Sequence, residues 1–164
     1  MSYIGDLELT RELDGGKNMA AFIPVLYSIA RDFPVKDNLT ILEIGVRGGT
    51  STGAWLRGMV DGKRMDCQLY SIDIQDCSWV CPEDLRHLWT FIQGDSKTVS
   101  WNRIIDVLLI DGGHSYKTCL SDYRRFEPFV RDGGMILMHD VSWPKKSPVK
   151  VFWDEVTYPK TILP

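Results

Sequence analysis

The chain has 164 residues, of which 25% are charged, and its formal net charge at pH 7 is −3. This length predicts one domain, spanning residues 1–164, with a hydrophobic core of its own. The small net charge gives no electrostatic reason to bind nucleic acid or an anionic membrane, so we expect a small-molecule partner. The longest apolar run, Met19–Ala30, is too short to cross a membrane, and the acidic N-terminus is unlike a signal peptide. We therefore expect a cytoplasmic protein.

After a first segment of residues 1–16 that we expect to be loosely ordered, strands and helices are predicted to alternate. The predicted elements in chain order are helix Lys17–Phe33, strand Thr40–Gly45, helix Thr50–Val60, strand Gln68–Ile74, short helix Pro82–Trp89, strand Thr90–Gly94, strand Ile105–Asp111, a helix through Tyr116–Phe126 that the pair Gly133–Gly134 ends, strand Met135–Asp140, helix Val149–Val156 and a short strand Lys160–Leu163. This alternation predicts an α/β, Rossmann-like, doubly wound fold. Its mainly parallel sheet is expected to have helices on both faces and to be buried on both.

An acidic residue stands at or near the end of each of the five main strands. These acids are Glu43, Asp73, Asp95, Asp111 and Asp140. In doubly wound sheets, ligands bind beyond the carboxyl ends of the strands, near the switch in strand order. We therefore expect the five acids to face one crevice.

The turn after the first strand is rich in glycine, with Gly45, Gly48 and Gly49 in the stretch "EIGVRGG". Glycines there let the backbone turn tightly and approach a ligand closely. The spacing does not fit the Gly-x-Gly-x-x-Gly fingerprint of dinucleotide binding, and no phosphate-loop lysine follows. A nucleotide-sugar or NAD-dependent enzyme is therefore the less favoured alternative.

The same turn resembles the first motif of the class I S-adenosylmethionine-dependent methyltransferases, acid-x-Gly-x-x-x-Gly, with Glu43, Gly45 and Gly49 in the matching positions. The resemblance implies that this loop wraps the methionine part of the cofactor and that Glu43 acts on its amino group. By the same resemblance, Asp73 accepts hydrogen bonds from the ribose hydroxyls. The remaining predicted cofactor contacts are Thr50, Ser51, Asp95 and Ser96.

The fourth and fifth strands carry a second and more specific motif, "IDGGHSY" followed by "DGGMILMHDV". Over Thr40–Val156 the chain resembles the small methyltransferases that include macrocin-type sugar O-methyltransferases and relatives of cephalosporin hydroxylase. In metal-dependent members, an acid after strand four and an acidic pair after strand five hold Mg²⁺, and a nearby histidine is the general base. The resemblance assigns Asp111 and Asp140 to the metal and His114 to the base.

One position departs from that pattern, because His139 stands where the first acid of the pair is expected. Magnesium prefers hard oxygen ligands, so the departure leaves two alternatives. Either a softer ion such as Mn²⁺ binds through Asp111, His139 and Asp140, or no metal binds and the two histidines, His114 and His139, handle protons alone.

The predicted activity is O-methylation of a hydroxyl on a sugar or other small acceptor, with S-adenosylmethionine as methyl donor. Class I methyltransferases normally complete their sheet with a C-terminal hairpin, and we expect it to be missing here, because 24 residues follow Asp140. An open sheet edge follows, and we expect the chain to self-associate there. We expect residues 1–17 and 141–148, including Trp143, to shape the acceptor pocket.

A competing interpretation treats the same residues as structural. Ser115 can be the N-cap of the helix that follows, with Gly112 and Gly113 as its entry turn. The alternative function is a cofactor-binding module without catalysis that serves in an assembly, and the expected absence of the C-terminal hairpin favours it.

Overall fold

The computed structural model describes residues 18–34, 38–64, 66–141 and 147–161. Its α-helices are α1 (Ile23–Asp32), α2 (Thr50–Asp61), α3 (Tyr116–Phe126) and α4 (Pro148–Glu155), and its strands are β1 (Thr40–Ile44), β2 (Gln68–Asp73), β3 (Trp89–Gln93), β4 (Ile105–Ile110) and β5 (Val130–Met138). A 3-10 helix, Asn18–Phe22, leads into α1, whose second residue is Pro24. Because proline fixes φ and lacks an N–H, it favours the first turn of a helix.

The five strands form one sheet in the order β3-β2-β1-β4-β5, and every neighbouring pair is parallel. The chain builds outward from β1 to β2 and β3, then returns to the other side of β1 with β4. The order therefore switches between β1 and β4, which is where a doubly wound sheet opens a ligand crevice at its carboxyl edge. The predicted Rossmann-like fold class is confirmed.

Helices cover both faces of the sheet, as predicted. Ile41 and Val107 pack in one core cluster with Trp55 of α2. Leu42 and Leu108, their neighbours along the same strands, lie in the opposite cluster. Alternate strand residues point to opposite faces, so each buried strand supplies both cores.

The boundary between α3 and β5 differs from the prediction. The helix ends at Phe126, because Pro128 cannot continue it, and β5 begins at Val130 rather than Met135. The pair Gly133–Gly134 therefore lies inside the strand, where the register with β4 is irregular between Ile105 and Val107. The extra residues form a bulge, and Gly133 adopts φ +76°, a conformation that glycine accommodates without strain.

The prediction of a sheet buried on both faces is wrong for its last strand. All six residues of β4 are buried, whereas no residue of β5 is fully buried. In the described part of the chain β5 is an edge strand, and no hairpin lies beside it. Lys160 and Thr161 are not in a strand, and the rest of the predicted short strand lies outside the described residues.

Candidate active site

A cavity of about 610 Å³ opens at the carboxyl edge of the sheet, at the switch between β1 and β4. The predicted site residues that line it are Gly45, Thr50, Ser51, Asp73, Asp95, Ser96, Asp111, His114, His139 and Asp140. Two predicted residues, Glu43 and Gly49, do not line it. Residues from all five strand ends thus meet in one crevice.

The glycine loop between β1 and α2 lies against the end of β4. Gly45 has φ +93°, and a Cβ there would lie 2.3 Å from the carbonyl oxygen of Asp111. Gly49 has φ +78°, and a Cβ there would lie 2.7 Å from Cβ of Val80. Both positions therefore require glycine for backbone geometry and for close packing. Gly49 does not line the cavity, and its observed role is to give the glycine loop its shape.

Glu43 is fully buried behind the loop. Its Oε2 accepts hydrogen bonds from the hydroxyls of Thr52, at 2.6 Å, and Ser71, at 2.7 Å. Burial raises the pKa of Glu43 to about 7, although hydroxyls, first of all that of Ser51, act to lower it. Contact of Glu43 with the amino group of a cofactor stays a prediction. Its observed partners tie β1 to β2 and α2.

Asp73, at the end of β2, supports the loop from the cavity side. Its Oδ2 accepts from the backbone N–H of Val46 at 2.8 Å and of Arg47 at 3.1 Å, and its Oδ1 accepts from Gln75 at 2.9 Å. Burial acts to raise the pKa of Asp73, but these backbone donors outweigh it and hold that pKa below its usual value. These three N–H groups occupy three of the roughly four acceptor sites of the carboxylate, and the remaining site lies on Oδ1.

The turn after β3 carries the predicted Asp95 and Ser96, and it contacts a further cavity acid, Asp122 of α3, that the sequence pattern did not single out. Asp95 accepts from the backbone N–H of Lys97 at 3.0 Å. Ser96 Oγ donates to Oδ1 of Asp122 at 2.6 Å. Asp122 is buried on α3, and burial raises its pKa. Its signal in the sequence is an acid on the inner face of an amphipathic helix, between Cys119 and Phe126.

The ends of β4 and β5 hold the two histidines. His114 Nδ1 lies 2.5 Å from Oδ2 of Asp140, and the His114 side chain is 55% exposed. Asp140 has φ +57°, a conformation that non-glycine residues rarely adopt. It directs its two carboxylate oxygens toward two different histidines, because Oδ1 lies 3.2 Å from Nδ1 of His139. An aspartate that holds one imidazole nitrogen leaves the other nitrogen to work as a base.

His139 is the more enclosed of the two histidines. Its side chain is 8% exposed, and its Nδ1 lies 3.0 Å from Oδ1 of Asp111. The ring packs edge-on against Phe22, at 5.7 Å between centroids. Among the described residues, no group of three or more His, Cys, Asp or Glu side chains is arranged to hold a metal ion. The ion site at Asp111, His139 and Asp140 stays a prediction.

Met19, Arg47 and Ile74 are among the further cavity residues that the sequence did not predict. Met19 reaches the cavity from the segment before α1, and Arg47 reaches it from the glycine loop. Ile74, the residue after Asp73, lines the cavity although its apolar side chain is 71% exposed. An apolar residue directly after a strand-ending acid was the available signal for Ile74. Nothing in the local sequence identified Met19, because its place depends on how α1 packs.

Some predicted features of the crevice have a structural role or lie outside the described residues. Ser115 is the N-cap of α3, in a capping box with Thr118, as the structural interpretation expected. The four cysteines are free and buried, and burial raises the pKa of Cys119, next to the cavity, to about 11. Trp143 and residues 1–17 of the predicted acceptor wall lie outside the described residues.

None of the helices in the described part of the chain combines the length and the apolar composition that a membrane-spanning helix requires.

The sequence model of one family, described as a methyltransferase domain, matches residues 42–141. This segment contains the glycine loop, all five strand-end acids and both histidines of the cavity. No curated protein matches the chain.

Several solved structures share the fold. One is the MycE methyltransferase from the mycinamycin biosynthetic pathway, in complex with Mg, SAH and mycinamycin VI, with 25% identity and a TM-score of 0.58 over 76% of this chain and 36% of that chain. A second is CalS11, a TDP-rhamnose 3'-O-methyltransferase of calicheamicin biosynthesis, with 15% identity and a TM-score of 0.62 over 82% of this chain and 67% of that chain. A third is SAH-bound PaMTH1 from Podospora anserina, with 18% identity and a TM-score of 0.62 over 85% of this chain and 62% of that chain. The chain thus spans 36% of the length of MycE, and its likeness to CalS11 and PaMTH1 shows the fold alone.

Proposed function

Because the chain belongs to the methyltransferase domain family, we propose that it transfers the methyl group of S-adenosylmethionine to a hydroxyl oxygen of a sugar or similar small acceptor. The observation that carries the proposal is that one cavity contains both parts of the required chemistry. Asp73 and the glycine loop form one wall, and the His114–Asp140 pair forms another. MycE, which shares the fold and a quarter of the aligned residues, was solved with SAH.

The cavity fits the proposed cofactor in size and in the chemistry of its walls. A volume of about 610 Å³ lies within the range of small-molecule sites, about 300–1,000 Å³. Asp73 offers its remaining acceptor site, on Oδ1, to a ribose hydroxyl. Ile74 offers an apolar surface beside it, suited to the flat face of a base. Asp95 and Ser96 supply polar groups at the same end of the cavity.

In the proposed reaction, His114 accepts the proton of the acceptor hydroxyl. When bound, S-adenosylmethionine supplies a methyl group that its sulfonium has already activated. The acceptor oxygen forms a bond to the methyl carbon as the carbon–sulfur bond breaks, and the hydroxyl proton passes to Nε2 of His114. Asp140, 2.5 Å from Nδ1, fixes the ring so that Nε2 is the accepting nitrogen. A base positioned in this way contributes about 10²- to 10⁴-fold to the rate.

Calorimetry and an activity screen test the proposal. We expect SAH to bind with a 1:1 stoichiometry and NADH not to bind. Methyl transfer is then measured by mass spectrometry against free sugars, nucleotide sugars and glycosides. Binding of NADH but not SAH would overturn the proposal in favour of the dinucleotide enzyme. Binding of SAH with no methyl transfer to any acceptor would instead favour the non-catalytic module.

Self-association at the β5 edge is a separate part of the proposal. Support comes from the partial exposure of β5, whose outer edge has no strand partner among the described residues. Edge strands of this kind pair readily with another chain. Sedimentation analysis over a range of concentrations checks the expectation, and a mass that stays monomeric at the highest concentration would contradict it.

A further inference from the structure

The unexpected histidine after β5 lies between Asp111 and Asp140. These three residues and His114 are called the catalytic wall of the cavity. His139 stands where metal-dependent relatives are expected to have an acid, and it reduces the negative charge of the predicted ion site by one. Hard divalent ions such as Mg²⁺ select carboxylate and water oxygens. This wall therefore offers fewer carboxylate oxygens to an ion than the corresponding wall of a metal-dependent relative is expected to offer.

The carboxylates on either side of His139 are directed at imidazole nitrogens. Oδ1 of Asp111 and Oδ1 of Asp140 lie 3.0 and 3.2 Å from the same His139 Nδ1. The second oxygen of Asp140 lies 2.5 Å from His114 Nδ1. A divalent ion shared by the two aspartates would need oxygens at roughly 2.0–2.6 Å and would compete with both histidines for them.

The His139 ring is also held in place. It is 8% exposed and packs against Phe22, a residue from the segment that precedes α1. Asp140 is fixed from its backbone side, because Ser147 Oγ donates to its carbonyl oxygen at 3.0 Å. The histidine therefore cannot simply turn away to admit an ion, since the elements around it define its place.

We infer that this catalytic wall works without a divalent ion, and that the His139 imidazole holds Asp111 and Asp140 together in the place where relatives use the ion. The inference rests on the proposed methyl transfer and deepens it. The acceptor hydroxyl is activated by His114 as base alone, so the acceptor does not need a pair of oxygens that chelate a metal. Acceptors with a single free hydroxyl are then as suitable as vicinal diols.

Metal titration of the wild type and of His139→Asp tests the inference. In chelator-treated protein, Mn²⁺ binding is followed by electron paramagnetic resonance and Mg²⁺ binding by calorimetry. We expect no ion at this site in the wild type, and one Mn²⁺ per chain in H139D, with at least tenfold higher affinity, because an acid restores the oxygen donor set. His87→Asp, the same change at an exposed histidine outside the cavity, is the matched control and should gain nothing.

Two results would overturn the inference. One is Mg²⁺ or Mn²⁺ binding by the wild type that Asp111→Asn abolishes. The other is an H139D protein that still binds SAH but gains no ion, since the histidine would then not be what excludes it. If H139D does not fold, His139→Glu replaces it, and the wild-type titration decides independently of any variant. These titrations need no methyl transfer, so failure of the proposed function shows separately, as absent SAH binding or absent turnover.

Discussion

The two sides of the crevice use the same residue type at the same position of the fold for different tasks. On the β2–β3 side, Asp73 and Asp95 accept hydrogen bonds from backbone N–H groups of the adjoining loops. On the β4–β5 side, Asp111 and Asp140 face histidine nitrogens. The donors on the first side keep their protons at any working pH, whereas an imidazole exchanges its proton near neutrality.

This difference shows that an acid at a strand end acquires its task from the donor that the fold brings to it. Backbone donors fix charge and loop shape, which suits the binding of a cofactor. Histidine donors produce a site where a proton can move, which suits catalysis. Glu43 is an intermediate case, since it is buried among hydroxyls and its pKa is raised to about 7.

The largest effect is expected at the histidine side. His114→Ala removes the proposed base, so kcat for methyl transfer should fall about 10²- to 10⁴-fold. The dissociation constant of SAH, set by the other side, should change less than about twofold. Steady-state kinetics and calorimetry measure the two quantities, with His87→Ala as the control histidine. An equal loss of SAH affinity and kcat would show that the two sides are not separable.

Glu43→Gln tests the buried acid through the pH dependence of stability. Burial raises the pKa of Glu43 from 4.5 to about 7, so the folded state keeps a proton that the unfolded state releases. Its contribution to the free energy of unfolding is fully present below pH 4.5 and is lost as the pH rises to 7. Relative to E43Q, the wild type should lose up to about 3 kcal/mol over this window in denaturant titrations. A stability difference between wild type and E43Q that does not change with pH would contradict the burial of Glu43. A pH dependence no larger than that seen with the exposed Glu83→Gln would contradict it as well.

The cofactor side is tested by Asp73→Asn. The change keeps the shape of the side chain but removes the charge that holds three backbone N–H groups. We expect the dissociation constant of SAH to rise about ten- to hundredfold, since hydrogen bonds to charged groups contribute about 1.5–3 kcal/mol. Asp76→Asn is the matched control, because Asp76 caps an exposed turn outside the cavity. An SAH affinity unchanged in D73N would remove Asp73 from the binding site.

The smallest effect is expected at Ser115, which lies between His114 and the first residue of α3. Ser115→Ala removes the N-cap that accepts from the N–H of Thr118, which should cost about 1 kcal/mol in the free energy of unfolding. Because the cap is structural, the kcat of the folded protein should stay within about threefold of the wild type. Thermal unfolding and kinetics check both, with the exposed Ser100→Ala as control. A loss of kcat near that of H114A would give Ser115 a chemical task.

The strands and the polar residues at their ends could be predicted because both depend on local patterns. "TILEIG" and "IDVLLID" are apolar runs that end in turn-forming residues, and such runs are strands in an alternating α/β chain. The start of β5 was misplaced because a double glycine looks like a helix stop, whereas Pro128 ends the helix and the glycines form a bulge. Here two local signals competed, and the sequence pattern alone did not rank them.

The sequence by itself determined the fold class, the glycine loop and the set of acids that meet at one edge of the sheet, because strand alternation and turn chemistry act over a few neighbouring residues. Only the tertiary structure decided the partner of each acid. Asp140 meets His114 from another strand end, and Phe22 meets His139 from the opposite end of the sequence. Such pairings depend on strand order and helix packing, which bring together residues that no local pattern connects.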